Sequence, residues 1–118
     1  MKKKIVSVIL VAAMAVGCLA GCGSKEAKNE DAFYIGGIGP VTGDAAIYGT
    51  AVQNGAQIAV DEINEAGGIN GHQIEYNFQD DQGDPEKAAN AYNTLKDWGM
   101  QMLMGTVTST PCTAVVEK

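Results

Sequence analysis

From Phe33 onward the apolar positions switch repeatedly between strand-like and helix-like spacing. Phe33-Tyr34-Ile35-Gly36-Gly37-Ile38 is a short apolar run that ends among glycines, which predicts a first strand. Gly39 to Gly49 is rich in Gly, Pro, Thr and Asp and reads as a loop. Val52, Ala56, Ala59, Ile63 and Ala66 then recur at spacings of 4, 3, 4 and 3, the pattern of one helical face. Asp61, Glu62 and Glu65 fall mostly off that stripe, and Gly67-Gly68 supplies a left-handed stop. Gly71 turns the chain into Gln73 to Asp80, where Ile74, Tyr76 and Phe78 alternate with Glu75, Asn77 and Gln79. Period two predicts a strand with one face less buried, as at a sheet edge. Asp84-Pro85-Glu86 is a helix start: a capping oxygen, a residue suited to the first turn and a charge that complements the dipole. Ala88, Ala91, Leu95 and Trp98 form its apolar stripe, and Gly99 ends it. Met100 to Met104 is a nearly continuous apolar run, as in a central parallel strand. Thr110-Pro111 then reads as the N-cap and first residue of a third helix, with Ala114, Val115 and Val116 following.

A β-α-β-α-β order predicts an α/β fold: a parallel, doubly wound sheet with right-handed crossovers and strand order 2-1-3. In that order strands one and three are neighbours where the winding reverses. Ligands bind outside the carboxyl ends of strands at such a switch point. The loops there are Gly39 to Gly49, which offers Thr42, Asp44 and Tyr48, and Gly105 to Thr110, which offers Thr106, Thr108, Ser109 and Thr110. Hydroxyls and backbone N–H groups ahead of a helix favour a carboxylate, and Tyr48 can pack against an apolar side chain. The pair suits a small acid with an apolar part. Ser109 and Thr110 are read equally well as plain helix caps.

The segment before Phe33 has a different character. Lys2-Lys3-Lys4 precede an apolar run from Ile5 to Ala20, which reads as an export signal over residues 1–21. Sixteen helical residues reach roughly 24 Å, short of the roughly 30 Å hydrocarbon core, which argues against a permanent span. Leu19-Ala20-Gly21-Cys22 resembles the lipobox of bacterial lipoproteins, which implies a lipid on Cys22 and cleavage before it. Residues 22–32 are mostly polar and read as a flexible tether to a ligand-binding body at 33–118. Cys18 lies in the signal, so Cys112 is the one body cysteine, without a disulfide partner; it reads as a small buried thiol.

Charge narrows the function further. After removal of residues 1–21, five lysines face fourteen carboxylates, a net charge of −9, and the chain has no arginine. Such a body is repelled by phosphate backbones and lacks bidentate phosphate donors, so nucleic acid is excluded as a partner. Gly37-x-Gly39-x-x-x-Gly43 touches the dinucleotide-binding pattern. Pro40 interrupts it, the helical stripe begins only near Val52, and Asp80 and Asp81 lie about twice too far along for a ribose-binding acid, expected some ~20 residues on. A Rossmann-type enzyme therefore ranks below a binding protein, and no cofactor is expected. Asp80-Asp81-x-x-Asp84 lacks calcium-loop spacing: Asp81 reads as a solvated loop residue and Asp84 as a cap. His72 reads as a turn residue, so no metal is expected, and no nucleophile–base pair suggests catalysis.

Together the motifs resemble branched-chain amino-acid ABC-transporter substrate-binding proteins. The residues concerned are Ile35-Gly36, Gly39-Pro40-Val41-Thr42-Gly43, Ala46-Ile47-Tyr48-Gly49, Glu62 to Gly71, Asp80-Asp81-Gln82-Gly83-Asp84-Pro85 and Gly105 to Thr110. The resemblance implies a two-lobed type I periplasmic-binding fold, of which residues 33–118 form the first part of lobe 1. It implies that Ser109 binds a ligand α-carboxylate through its hydroxyl and N–H, that Tyr48 lines the side-chain pocket, and that Val107 and Thr108 form the near wall. It further implies a small amino acid as ligand, ABC permease subunits as partners, and a lipid-anchored place on the extracytoplasmic face of the cell membrane. The second lobe, with the acidic residue for the ligand ammonium, falls beyond Lys118. The cysteine pair that some members carry is absent: Gly83 and Thr108 stand near its places. A sensory ectodomain of the same fold is the alternative, set back by the lipobox.

The lipobox generates the first prediction. Mass spectrometry of membrane-extracted protein should find an acylated Cys22 at the mature N-terminus; an unmodified soluble form beginning elsewhere refutes the anchor.

Overall fold

The computed structural model describes residues 28–118, so the expected signal, Cys18 and the lipobox Cys22 lie outside the described residues. The chain runs β1 (Phe33–Gly39), α1 (Ala46–Glu65), β2 (Ile74–Asp80), α2 (Pro85–Trp98), β3 (Met102–Thr106) and α3 (Ser109–Val116). The three strands form one sheet in the order β2-β1-β3, with both pairings parallel, as the alternating periodicity predicts. Adjacent parallel strands require crossovers, and α1 and α2 supply them.

The core lies between the sheet and α2 and α3. Ile38 of β1 packs with Ala88, Ala91 and Leu95 of α2 and Val115 of α3. Tyr92, Trp98, Met100 and Leu103 close around them. The α2 stripe read from sequence is therefore the stripe that packs. Burying Leu95 alone contributes about 1.5–3 kcal/mol. The helix is bounded as its sequence dictates: Asp84 accepts a 2.8 Å bond from the Lys87 N–H, Pro85 opens the first turn, and Gly99 closes it at φ 98°. At the base of the sheet, Tyr34 meets Trp98 edge-on at 4.8 Å, and the Lys28 ammonium lies 4.8 Å from the Tyr34 ring centroid.

Three boundaries differ from the sequence reading. Helix α1 starts at Ala46, so Tyr48 and Gly49 belong to its first turns and not to the loop. Strand β3 begins at Met102, two residues late, because Gln101 is used as a clip: its N–H donates to the Tyr34 carbonyl, and its Oε1 accepts from the Tyr34 N–H. Helix α3 begins at Ser109 with Thr108, not Thr110, as N-cap. Thr108 is extended at φ −115°, ψ 152°, and Pro111 is tolerated because first-turn N–H groups have no helical acceptor.

The inward face of α1 also differs. Gly49, Gln53, Ala56, Val60 and Asn64 turn toward the protein, whereas Val52, Ala59, Ile63 and Ala66 are exposed. The helix is thus rotated by a little less than one residue's ~100° step from the face its apolar spacing suggests. Two contacts set this rotation. A Cβ on Gly49 would collide with the Pro40 carbonyl, so the helix seats there through a bare glycine backbone. At the other end Asn64 Nδ2 donates to the Ile74 carbonyl at 2.9 Å, and the Ile74 N–H donates to Asn64 Oδ1 at 2.7 Å. Gly68 then closes the helix with a 2.8 Å bond to the Ile63 carbonyl, and Asn70-Gly71, at φ 53° and 86°, makes a tight turn between Ile69 and His72. His72 is indeed a turn residue; its Nδ1 lies 2.7 Å from the Asp31 carbonyl oxygen.

Asn64→Ala removes both bonds that hold α1 to the buried start of β2. A lost partner on a buried backbone group costs about 1–3 kcal/mol. Urea denaturation should show a loss of that size, and Asn64→Asp, which keeps the acceptor, should fall between the two.

Candidate functional site

The loops after β1 and β3 emerge from neighbouring strands at their carboxyl ends, the switch point expected for this strand order. Val107 joins them. A Cβ on Gly39 would lie only 3.0 Å from Val107 Cβ, so the glycine at the end of β1 accepts the first side chain beyond β3. Val107 is thereby fixed as a wall between the two loops. Thr108 is half-buried, and its Oγ1 and that of Thr106 are buried without partners. Ser109 is exposed in the first residue of α3, and Tyr48 is exposed in the first turn of α1. The four sequence-predicted residues therefore lie on the two switch-point loops or on the helix turns that leave them.

The Ser109 position follows from local structure. The first intrahelical bond of α3 runs from the Cys112 N–H to the Thr108 carbonyl at 3.1 Å, so the N–H groups of Ser109 and Thr110 have no helical acceptor. The Thr108 hydroxyl makes no cap bond to them. A free first-turn N–H beside an exposed hydroxyl suits an anion such as a carboxylate. Cys112, expected buried, is half-buried and free on α3.

Two neighbouring aspartates have opposite environments, and the sequence reading missed both. Asp80 ends β2 opposite Gly39. Its carboxylate accepts from the Val41 N–H at 2.9 Å, the Thr42 hydroxyl at 2.5 Å and the Gln82 N–H at 3.0 Å. Partial burial pushes its pKa up, but these bonds, led by Thr42, outweigh that and hold it below the ordinary value. Asp81, read from sequence as solvated, is fully buried. The reversal at Gln82-Gly83, with φ 53° and 74°, folds its carboxyl back so that Oδ1 accepts from the Gly83 N–H at 2.8 Å. Its Oδ2 has no partner. Burial raises its pKa; the Gly83 bond offsets this in part, and the charges of Asp80 and Asp84 add to the rise. The short range of sequence patterns hides both arrangements. The Val41–Asp80 bond spans 39 residues, and an Asp-Asp pair before Gly-Asp-Pro resembles any solvated turn.

A parallel α/β sheet with a glycine-ended central strand and a switch point between the β1 and β3 loops is a doubly wound architecture, the class in which small ligands meet the carboxyl ends of strands. Residues 32–118 match the periplasmic binding protein family, and the chain belongs to it. A Leu/Ile/Val-binding protein of Rhizobium johnstonii is 47% identical over 75 residues, covering 64% of this chain and 20% of its own. The leucine-, isoleucine-, valine-, threonine- and alanine-binding protein of Pseudomonas aeruginosa is 37% identical over 111 residues, covering 92% of this chain and 29% of its own. Among solved structures, the branched-chain amino acid transporter substrate binding protein of Streptococcus pneumoniae, in complex with isoleucine, superposes with a TM-score of 0.69 at 40% identity. That match covers 73% of this chain and 25% of the other. The chain thus spans about a fifth to under a third of the length of these relatives.

Asp81 supplies a pH-dependent test. Its raised pKa means that ionisation opposes folding: the penalty is absent below about the ordinary value of 3.8, grows as pH rises above it, and is complete once the folded-state pKa is passed. Asp81→Asn keeps an oxygen for Gly83 and removes the charge. The variant should melt higher than wild type at pH 7, and the difference should close as the pH approaches 3.8. Equal melting at both pH values would show that the carboxyl is not opposed by its surroundings.

Proposed function

We propose that this chain is the opening part of lobe 1 of an extracytoplasmic receptor that captures a small aliphatic amino acid. The receptor delivers it to the permease of an ABC importer. The observation that carries this reading is the free first turn of α3. Ser109 presents an unpaired N–H and an exposed hydroxyl where the loops of adjacent strands face each other. That pole takes the ligand α-carboxylate, with the helix dipole adding attraction. Val107 and Thr108 form the near wall, and Tyr48 meets the apolar side chain. The likeness to leucine-, isoleucine- and valine-binding relatives, and to a structure holding isoleucine, supports a branched-chain ligand. The second lobe, contributed by sequence beyond residue 118, closes over the ligand. The basic-then-apolar leader and Leu19-Ala20-Gly21-Cys22 support export and a lipid anchor on Cys22, which keeps the receptor beside its permease. The reading includes no catalytic step.

The test is titration of the full-length protein with L-leucine, L-isoleucine and L-valine. A hydrogen bond to a charged group is worth about 1.5–3 kcal/mol, so Ser109→Ala should weaken binding about ten- to a hundredfold for all three. The fold survives, because the Ser109 N–H remains and the Thr108 backbone still receives the first helical bond. Tyr48→Ala should instead change the ranking among the three. Wild-type affinity in Ser109→Ala overturns the carboxylate assignment.

A further inference from the structure

Asp80 contributes nothing to the sheet ladder with its side chain. All three of its side-chain bonds go to backbone or hydroxyl groups beyond the strand ends, and two of them reach the loop after β1. That loop has little else to hold it. Val41 and Thr42 are followed by Gly43 at φ 82°, and α1 begins at Ala46 without a side-chain cap. Pro40 is fixed from the other side, since Gly49 of α1 packs directly on its carbonyl. The path from Pro40 to Tyr48 is therefore pinned at two places: the Asp80 carboxylate on Val41 and Thr42, and the Gly49–Pro40 seat. The backbone adds one tie to another segment, from the Asp81 N–H to the Gly39 carbonyl at 3.2 Å, and two turns within the path, from the Ala46 N–H to the Gly43 carbonyl at 3.2 Å and from the Tyr48 N–H to the Ala45 carbonyl at 3.0 Å.

We infer that Asp80 is a positioning residue of the ligand loop: through Val41 and Thr42 it sets where α1 begins and so where Tyr48 stands, without touching the ligand. The inference rests on the receptor reading above for its consequence on binding, but not for its structural content. Its depressed pKa accords with a carboxylate that stays ionised and bonded at neutral pH. A neutral amide can keep two of the three bonds, because its oxygen still accepts from Val41 and Gln82. An alanine keeps none. This difference separates positioning from direct contact.

The experiment compares wild type, Asp80→Asn, Asp80→Ala and Thr42→Val in the full-length protein. It has two readouts: L-isoleucine affinity, and the state of the loop without ligand, followed as hydrogen exchange of the Val41 amide and the NMR shifts of the Tyr48 ring. Asp80→Ala should speed Val41 exchange, move the Tyr48 resonances and weaken isoleucine about tenfold, the scale of one charge-assisted bond. Asp80→Asn should keep Val41 protected and stay within about threefold of wild type in affinity. Thr42→Val, which removes one bond only, should move Tyr48 in the same direction by less. Unmoved Tyr48 resonances and unchanged Val41 exchange in Asp80→Ala overturn the inference. So does an affinity loss in Asp80→Asn equal to that in Asp80→Ala while the loop stays in place, which marks direct ligand contact. Should wild type bind none of the amino acids while the loop readouts respond as stated, the positioning role stands and the receptor reading falls.

Discussion

The structure depends on how closely its neighbours can approach the central strand. β1 carries glycine at 36, 37 and 39, and each is covered by a large side chain from another element. Met100 and Leu95 sit over Gly36, the Phe78 ring lies against Gly37, and Val107 fills the space at Gly39. A Cβ at any of the three would overlap these groups. The missing side chains are thus the sockets into which β2, α2 and the β3 loop fit. Interiors are packed densely enough that such overlaps cannot be absorbed by small shifts everywhere at once. Gly36 gives α2 its close approach on one face of the strand, and Gly37 and Gly39 accept Phe78 and Val107 on the other.

The same closeness explains what the sequence disclosed. Strand and helix periods identify elements because each element has an apolar side to cover, and α2 is the clear case: Ala88, Ala91 and Leu95 are spaced for a face and are buried on it. α1 breaks the rule because its seat is made of contacts that periodicity does not weigh. Gly49 fits by having no side chain, and Asn64 fits by hydrogen bonding to Ile74. The more apolar flank, with Val52 and Ile63, is left exposed, as are Met102 and Met104 of β3. Hydrophobic spacing therefore identifies α1 as a helix but not the face it turns inward.

Site residues were legible to different degrees for a related reason. The loops after β1 and β3 follow from strand order, which is a topological rule, and that rule alone points to Tyr48, Thr108 and Ser109 among several polar candidates, whereas Val107 is singled out only by the family resemblance. The capping register at α3 could not. Thr108, Ser109 and Thr110 are all competent caps, and the choice among them depends on where β3 releases the chain. That choice matters chemically, because a helix beginning at Ser109 turns the Ser109 N–H into a free donor, whereas a cap at Thr110 would leave it in the loop.

Asp80 and Asp81 show how far environment outweighs identity. They are adjacent, carry the same group and are pushed in opposite directions. What decides is how deeply each carboxyl is buried and how many donors then compensate it. Asp80 meets an N–H and a hydroxyl from the β1 loop and one further N–H, while Asp81 meets one N–H and buries its second oxygen unpaired. Within one residue of each other, one carboxyl is thus favoured in its charged form and the other opposed in it.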